Sequence, residues 1–464
     1  MPGKPAGKSA SPQNLVEGSI KQSLIRMTLP MIIGMSMLFT FSLVDTWFIS
    51  FLGTESLTAI SFTFPVTFTV MSLAIGLGIG ASAVVGRFLG GSQLERAQEA
   101  ATVINYISLL LAVATVLVIW LLKNPLFLLM GASEELLEPI NQYMRVWLPG
   151  SVMVVCIMTG NSVLRACGDT KTPSILMAGA GALNALLDPL LIFGLGPIPA
   201  LGIAGAAWAT VIAWSIGFAY LLYVLVVKIE MVSRHMPSRA VMRASGRDMM
   251  RIGIPAAGAN MMTPLAAGIM TAIAAGFGDT AVAAFGVGAR IEPIATLLVL
   301  AMSSSLPPLI SQNFGADRID RVAEAYRLSI RFVLLWQLAV YLFLGLTAEL
   351  IANAFSDDPE VMQTIRLFVW IMPLGYGFQG IIILTNSSLN ALHQPGAALY
   401  LSIMRFFLFY VPLAWIGSQF FGVAGFFAGA VCGNALMASI SWLRFNRALG
   451  EETAKAAEAA ETAA

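Results

Sequence analysis

Runs of apolar residues broken by short polar stretches govern the chain from Leu24 to Leu443. A helix that crosses a bilayer needs about 20 mostly apolar residues, and twelve runs meet that length. They predict spans at 24–51, 57–85, 100–123, 139–163, 172–195 and 202–228, then 249–276, 281–311, 322–346, 361–390, 396–420 and 422–446. The pattern also repeats. Pro30 recurs as Pro255, Gly53 as Gly278, Ala59 as Ala284, Gly90 as Gly315, Arg96 as Arg321, Glu99 as Glu324, Asn161 as Asn386 and Leu164 as Leu389, each 225 positions on. The matches cross loops as well as apolar runs, so they reflect a duplicated half rather than shared composition.

The fold this predicts is an all-α polytopic membrane protein, with twelve transmembrane helices in two six-helix lobes. An even number of spans per half returns the second half to the membrane in the orientation of the first, so the lobes are parallel and related by a pseudo-two-fold axis along the membrane normal. In chain order the expected parts are a tail at 1–19, an N-lobe at 20–228, a basic linker at 229–247, a C-lobe at 248–446 and a second tail at 447–464. A transporter of this plan binds its cargo near mid-membrane and works by alternating access.

Composition agrees: 58% of residues are hydrophobic and 11% charged, with a mean hydropathy of +0.81. Charge placement orients the chain, because cytoplasmic loops are enriched in Lys and Arg. Lys4, Lys8, Lys21 and Arg26 precede the first span. Arg87 and Arg96, Arg165 and Lys171, the stretch from Lys228 to Arg251, the stretch from Arg318 to Arg331, and Arg444 with Arg447 fall on the same side. The opposite breaks carry Glu55, then Glu134, Glu135 and Glu138, then Asp279, then Asp357, Asp358 and Glu360. Both termini are therefore expected in the cytoplasm, in a plasma (inner) membrane protein whose N-terminal tail lacks the apolar core of a secretory signal. The net charge of +1 offers no basic face for nucleic acid. Cys156, Cys167 and Cys432 show no disulfide or metal spacing, and neither His235 nor His393 has a ligand partner. No nucleotide-binding loop, metalloprotease helix or nucleophile elbow is present, which argues against ATP hydrolysis and against an enzyme. No cofactor is expected.

Candidate chemistry lies in the few carboxylates inside the spans, each costing about 2.5–3.5 kcal/mol on insertion scales. These are Asp45, Asp188 and Glu292. Asn184 precedes Asp188 by four and shares its helix face, while Thr210 in the next span supplies a hydroxyl. Together Asp45, Asn184, Asp188 and Thr210 could hold a proton or a small hard cation such as Na+. The same residues could also serve as a polar knot between helices. The repeat places Met270 and Val411 opposite Asp45 and Asp188, so duplication kept the scaffold and not the acids. Glu292 is acidic in the second half only and is a candidate contact for a cationic substrate. Pro30, repeated as Pro255, is a candidate bending point. Gly425, Gly429 and Gly433 have the spacing of close helix packing.

The twelve-span duplicated plan, the run Asp45-Thr46-Trp47-Phe48-Ile49-Ser50-Phe51-Leu52-Gly53, the run from Arg165 to Pro173 and the stretch Asn184 to Pro189 resemble the multidrug and toxic compound extrusion (MATE) family. The resemblance covers the chain from about Ile20 to Arg447. It implies a secondary antiporter that exports cationic or amphipathic organic compounds in exchange for H+ or Na+, acting as a monomer in the lipid bilayer. It also implies cation coupling at positions matching Asp45, Asn184, Asp188 and Thr210, with bending at Pro30 linked to the cation state. Some members carry acidic cation sites in the seventh and tenth helices; spans 249–276 and 361–390 here have no central carboxylate, so coupling is assigned to the N-lobe. A lipid-linked precursor flippase of the same superfamily is the alternative. Its pyrophosphate cargo calls for buried Arg or Lys, and the first half has none at mid-depth.

Overall fold

Every element in the computed structural model is helical, and no strand occurs among the described residues, which are 13–194, 196–197, 199–233 and 237–463. Lys4, Lys8 and His235 lie outside them. The helices are α1 (Ile20–Ser50), α2 (Thr54–Gly90), α3 (Leu94–Leu129), α4 (Glu134–Ala166), α5 (Lys171–Ile192), α6 (Ile203–Tyr223), α7 (Arg239–Ala275), α8 (Asp279–Ala295), α9 (Leu297–Gly315), α10 (Ile319–Leu346), α11 (Ala348–Phe355), α12 (Pro359–Ile371), α13 (Tyr376–Ala391), α14 (Pro395–Ile403) and α15 (Val411–Ala463). Short π-helical segments follow α6 (Val224–Lys228) and α14 (Met404–Tyr410), and a 3-10 turn (Met372–Gly375) links α12 to α13.

The twelve spans are all present, and four of them depart from simple rods for local reasons. The eighth breaks between α8 and α9 with a bend of 43°. Pro293 has no N–H to donate to the carbonyl of Ala289 four residues back, and just beyond it the Glu292 carbonyl accepts from both the Thr296 backbone N–H at 2.9 Å and its Oγ1 at 2.7 Å. The tenth tightens into the 3-10 turn at Pro373. The eleventh and twelfth join in one stretch of 61 residues. As a straight helix that would measure about 90 Å, three times the hydrocarbon thickness. The chain therefore turns sharply at Phe421 and Gly422.

That turn is a repeat of an earlier one. Gly422 has φ 58° and ψ −141°; Gly202, at the start of α6, has φ 56° and ψ −134°. Both lie where only glycine is comfortable. The same correspondence holds for Gly53 (φ 96°) and Gly278 (φ 92°), Ser92 (φ 57°) and Asp317 (φ 56°), and Gly168 (φ 81°) and His393 (φ 57°). Duplication thus preserved the backbone at these turns, even where the residue type changed.

Two packed units make up the chain. The first contains Leu29–Ala257 with the described residues up to Glu17, and the second contains Gly18–Thr28 with the residues from Gly258 on. The boundary runs through α1 and α7, beside the repeated Pro30 and Pro255. In the first unit α4 is central, packing on α2, α3 and α6. Small residues bring these helices together: a Cβ added at Gly78 would lie 2.6 Å from Ser162 Oγ. In the second unit α13 is central, packing on α9, α10 and α15. Large side chains such as Leu121 (78% exposed), Leu129 and Leu346 point outward, as expected where the surroundings are lipid chains.

The run from Arg165 to Pro173 is architecture rather than chemistry. Asp169 caps the start of α5, accepting from the Thr172 backbone N–H at 3.0 Å and its hydroxyl at 2.5 Å. The Cys167 carbonyl accepts from Gln13 N at 2.8 Å. At the other end, the expected tail continues as helix, with α15 reaching Ala463.

Candidate functional site

The predicted N-lobe residues do meet, and the meeting is set by two glycine contacts. A side chain at Gly34 would strike Ser174, and one at Gly181 would strike the Phe41 ring. Each contact spaces α1 and α5 by the same 140 positions, so the helices run side by side in parallel. One turn beyond Phe41 lies Asp45, and along α5 lie Asn184 and Asp188. At Gly205, α6 approaches the Leu191 carbonyl of α5 at backbone distance, which brings Thr210 against Asn184.

Asn184 Nδ2 donates to Asp188 Oδ1 at 3.3 Å and to Thr210 Oγ1 at 3.2 Å. The Thr210 hydroxyl donates onward to the Ala206 carbonyl at 3.0 Å. The Asp45 and Asp188 carboxyls are within hydrogen-bonding reach of each other. Asp188 is wholly buried, and Asp45 Oδ1 and Asp188 Oδ2 have no protein partner. Two carboxylates this close, with buried unpaired oxygens, need a proton or cation between them. The set offers a carboxyl pair and a hydroxyl but presents an amide N–H where Na+ would require oxygen.

Tyr143 on α4 is a neighbour that the sequence did not single out. It is 91% buried, with both Asp45 and Asp188 within electrostatic reach. No periodicity marks it, because most buried tyrosines are core. Pro30 lies fifteen residues before Asp45 in α1, which stays helical through it.

Glu292 belongs to the second unit, at the end of α8. Its Oε1 accepts from Gln379 Nε2 on α13 at 2.8 Å, and it makes no ion pair among the described residues. Within its electrostatic reach lies Arg405, 92% buried in the π segment of the eleventh span. The sequence did carry that signal, as an ionisable residue inside a span.

The family model for MatE matches residues 30–190 and 255–416, one stretch in each half. The chain belongs to the MatE family. Its members are transporters rather than enzymes, and this MatE protein is a multi-span membrane transporter of small molecules. It is 40% identical to a protein of Shewanella oneidensis named FAD transporter, over 91% of this chain and 94% of that one. To a Staphylococcus haemolyticus protein named multidrug export protein MepA it is 24% identical, over 88% and 89%. The crystal structure of the Vibrio cholerae MATE transporter VcmN in the bent form superposes with a TM-score of 0.89 at 35% identity, covering 93% of this chain and 98% of VcmN.

Proposed function

We propose that this MatE protein is a proton-coupled exporter of amphipathic organic compounds in the plasma membrane, with both termini cytoplasmic. The observation that carries the reading is the Asp45–Asp188 carboxyl pair, buried and short of partners, with Asn184 and Thr210 around it. In the loaded state a proton occupies the pair. In the empty state two adjacent negative charges repel each other, and the helices bearing them must relax or recruit a cation. Pro30 gives α1 a place to bend, since the carbonyl facing it has no N–H to hold. Cargo and proton then favour different states, and each promotes release of the other. A unit charge moving through 100 mV supplies about 2.3 kcal/mol, and the pH gradient adds to it.

The acids of the first unit suit a cationic cargo, but their work here is coupling. A second reading for the cargo is favoured by the 40% identical relative named FAD transporter: an aromatic compound that carries phosphate. The test is export from proteoliposomes of ethidium and of FAD under an imposed pH or Na+ gradient, in wild type and in Asp45→Asn. A pH gradient should drive export of at least one cargo, and Asp45→Asn should abolish the drive. Drive by Na+ alone overturns the proton assignment. No drive by either gradient overturns the exporter reading, and full activity of Asp45→Asn overturns the site.

A further inference from the structure

We propose that Arg405, with the aromatic rings around it, binds the phosphate group of an aromatic cargo. The proposal rests on the exporter reading and names the class of compound that the exporter takes.

Arg405 lies ten residues into the eleventh span, where a guanidinium needs a reason to be. Its partner is not an acid. Nε donates to Asn434 Oδ1 at 3.1 Å, no ion pair involves it among the described residues, and its two terminal nitrogens make no described hydrogen bond. Among the described residues the other base this buried, Lys123, sits at the outer end of α3 and is held by Asn141 and by the Trp120 ring. Arg405 by contrast is buried, charged and largely unspent.

The surrounding geometry suits an anion attached to a ring. The guanidinium carbon lies 4.7 Å from the Phe406 ring centre and 6.0 Å from that of Tyr410, so aromatic faces border a planar fork that matches phosphate in two parallel bonds. Tyr376, 98% buried, has a hydroxyl with no partner. A second orphan donor therefore stands in the same region, since Glu292 is within electrostatic reach of both Tyr376 and Arg405. Glu292 makes no ion pair with the arginine, its Oε1 accepting from Gln379 Nε2, and its negative charge acts on Arg405 only from a distance.

The backbone is built to hold this. Arg405, Phe406 and Tyr410 sit in the seven-residue π segment Met404–Tyr410, a rare form that occurs mostly at functional sites. In the twelfth span Gly433 comes so close to this segment that a Cβ would lie 2.8 Å from both the Phe409 carbonyl oxygen and Tyr410 Cα. That approach lets Asn434 reach Nε and leaves the fork free. The fifth span of the first half holds Asp188 of the proposed coupling site; the corresponding span of the second half holds this base.

The test uses the full-length protein in lipid nanodiscs, with flavin fluorescence reporting binding of FMN and of riboflavin, which differ only by the phosphate. FMN should bind wild type at least tenfold more tightly than riboflavin. Arg405→Gln should lower FMN affinity at least tenfold and leave riboflavin within twofold, and Tyr376→Phe should lower FMN affinity severalfold. Equal binding of FMN and riboflavin by wild type overturns the proposal, as does wild-type FMN affinity in Arg405→Gln. If Arg405→Gln does not fold, Arg405→Lys keeps the charge and loses the fork; it should weaken FMN severalfold, and parity with wild type overturns the proposal. A wild type that prefers FMN but exports nothing under either gradient sinks the exporter reading and leaves this site standing.

Discussion

Replacing Gly433 by alanine should loosen the second unit and disarm Arg405 in one step. The added methyl would sit 2.8 Å from the Phe409 oxygen and from Tyr410 Cα, and 2.9 Å from the Phe409 carbonyl carbon. All three are backbone atoms of the facing span, so no side chain can rotate aside. Ordinary contact needs about 3.5 Å, which forces the two spans apart by about 0.7 Å. Overpacking of this kind costs about 1–3 kcal/mol. The Arg405–Asn434 bond, 3.1 Å now, would stretch beyond hydrogen-bonding length, and a bond to a charged group is worth about 1.5–3 kcal/mol. Alanine returns about 1 kcal/mol through helix propensity. The net loss is about 1.5–5 kcal/mol, which should lower the apparent melting temperature of the purified protein by several degrees in a thermal-shift assay. Gly268 on α7 is the control: a Cβ there meets nothing within 4 Å, so Gly268→Ala should hold or raise the melting temperature. If Gly433→Ala melts at or above wild type, or Gly268→Ala falls as far, close backbone packing is not what positions Asn434.

Two further outcomes follow from the turns. Gly202→Ala and Gly422→Ala add a methyl that touches nothing, so any loss is conformational, and each should cost about 1–3 kcal/mol; thermal shifts that differ widely between them would contradict the equivalence of the two turns. Burial and the neighbouring Asp169 push the Cys167 thiol up to about 12. The thiolate is the nucleophile, so raising the pH from 7 to 9 leaves only about one thiol in a thousand reactive. A membrane-impermeant maleimide should therefore fail to label Cys167 in this range and should succeed after unfolding in detergent. Labelling that climbs with pH and disappears in Cys167→Ser would refute the assignment.

Much of this protein was legible in the order of its residues. Whether a stretch enters a bilayer depends on its own side chains, so the hydropathy of each run gave the twelve spans without reference to any other. The 225-residue echo gave the turns, because Gly53 and Gly278 answer to the same local backbone demand. Asp45 and Asp188 stood out since charge inside a span is costly wherever it falls, and Asn184 by its place four residues before Asp188 on one helix face. Contact between helices is a different kind of property: it depends on their crossing, rotation and depth, which small residues such as Gly181, Gly205 and Gly433 decide by where they let backbones touch. Only the tertiary structure, therefore, turned Asn184's N–H rather than its oxygen toward the acids and set Tyr143 beside them. It alone showed Glu292 held by Gln379, and Arg405 buried with its fork unpaired.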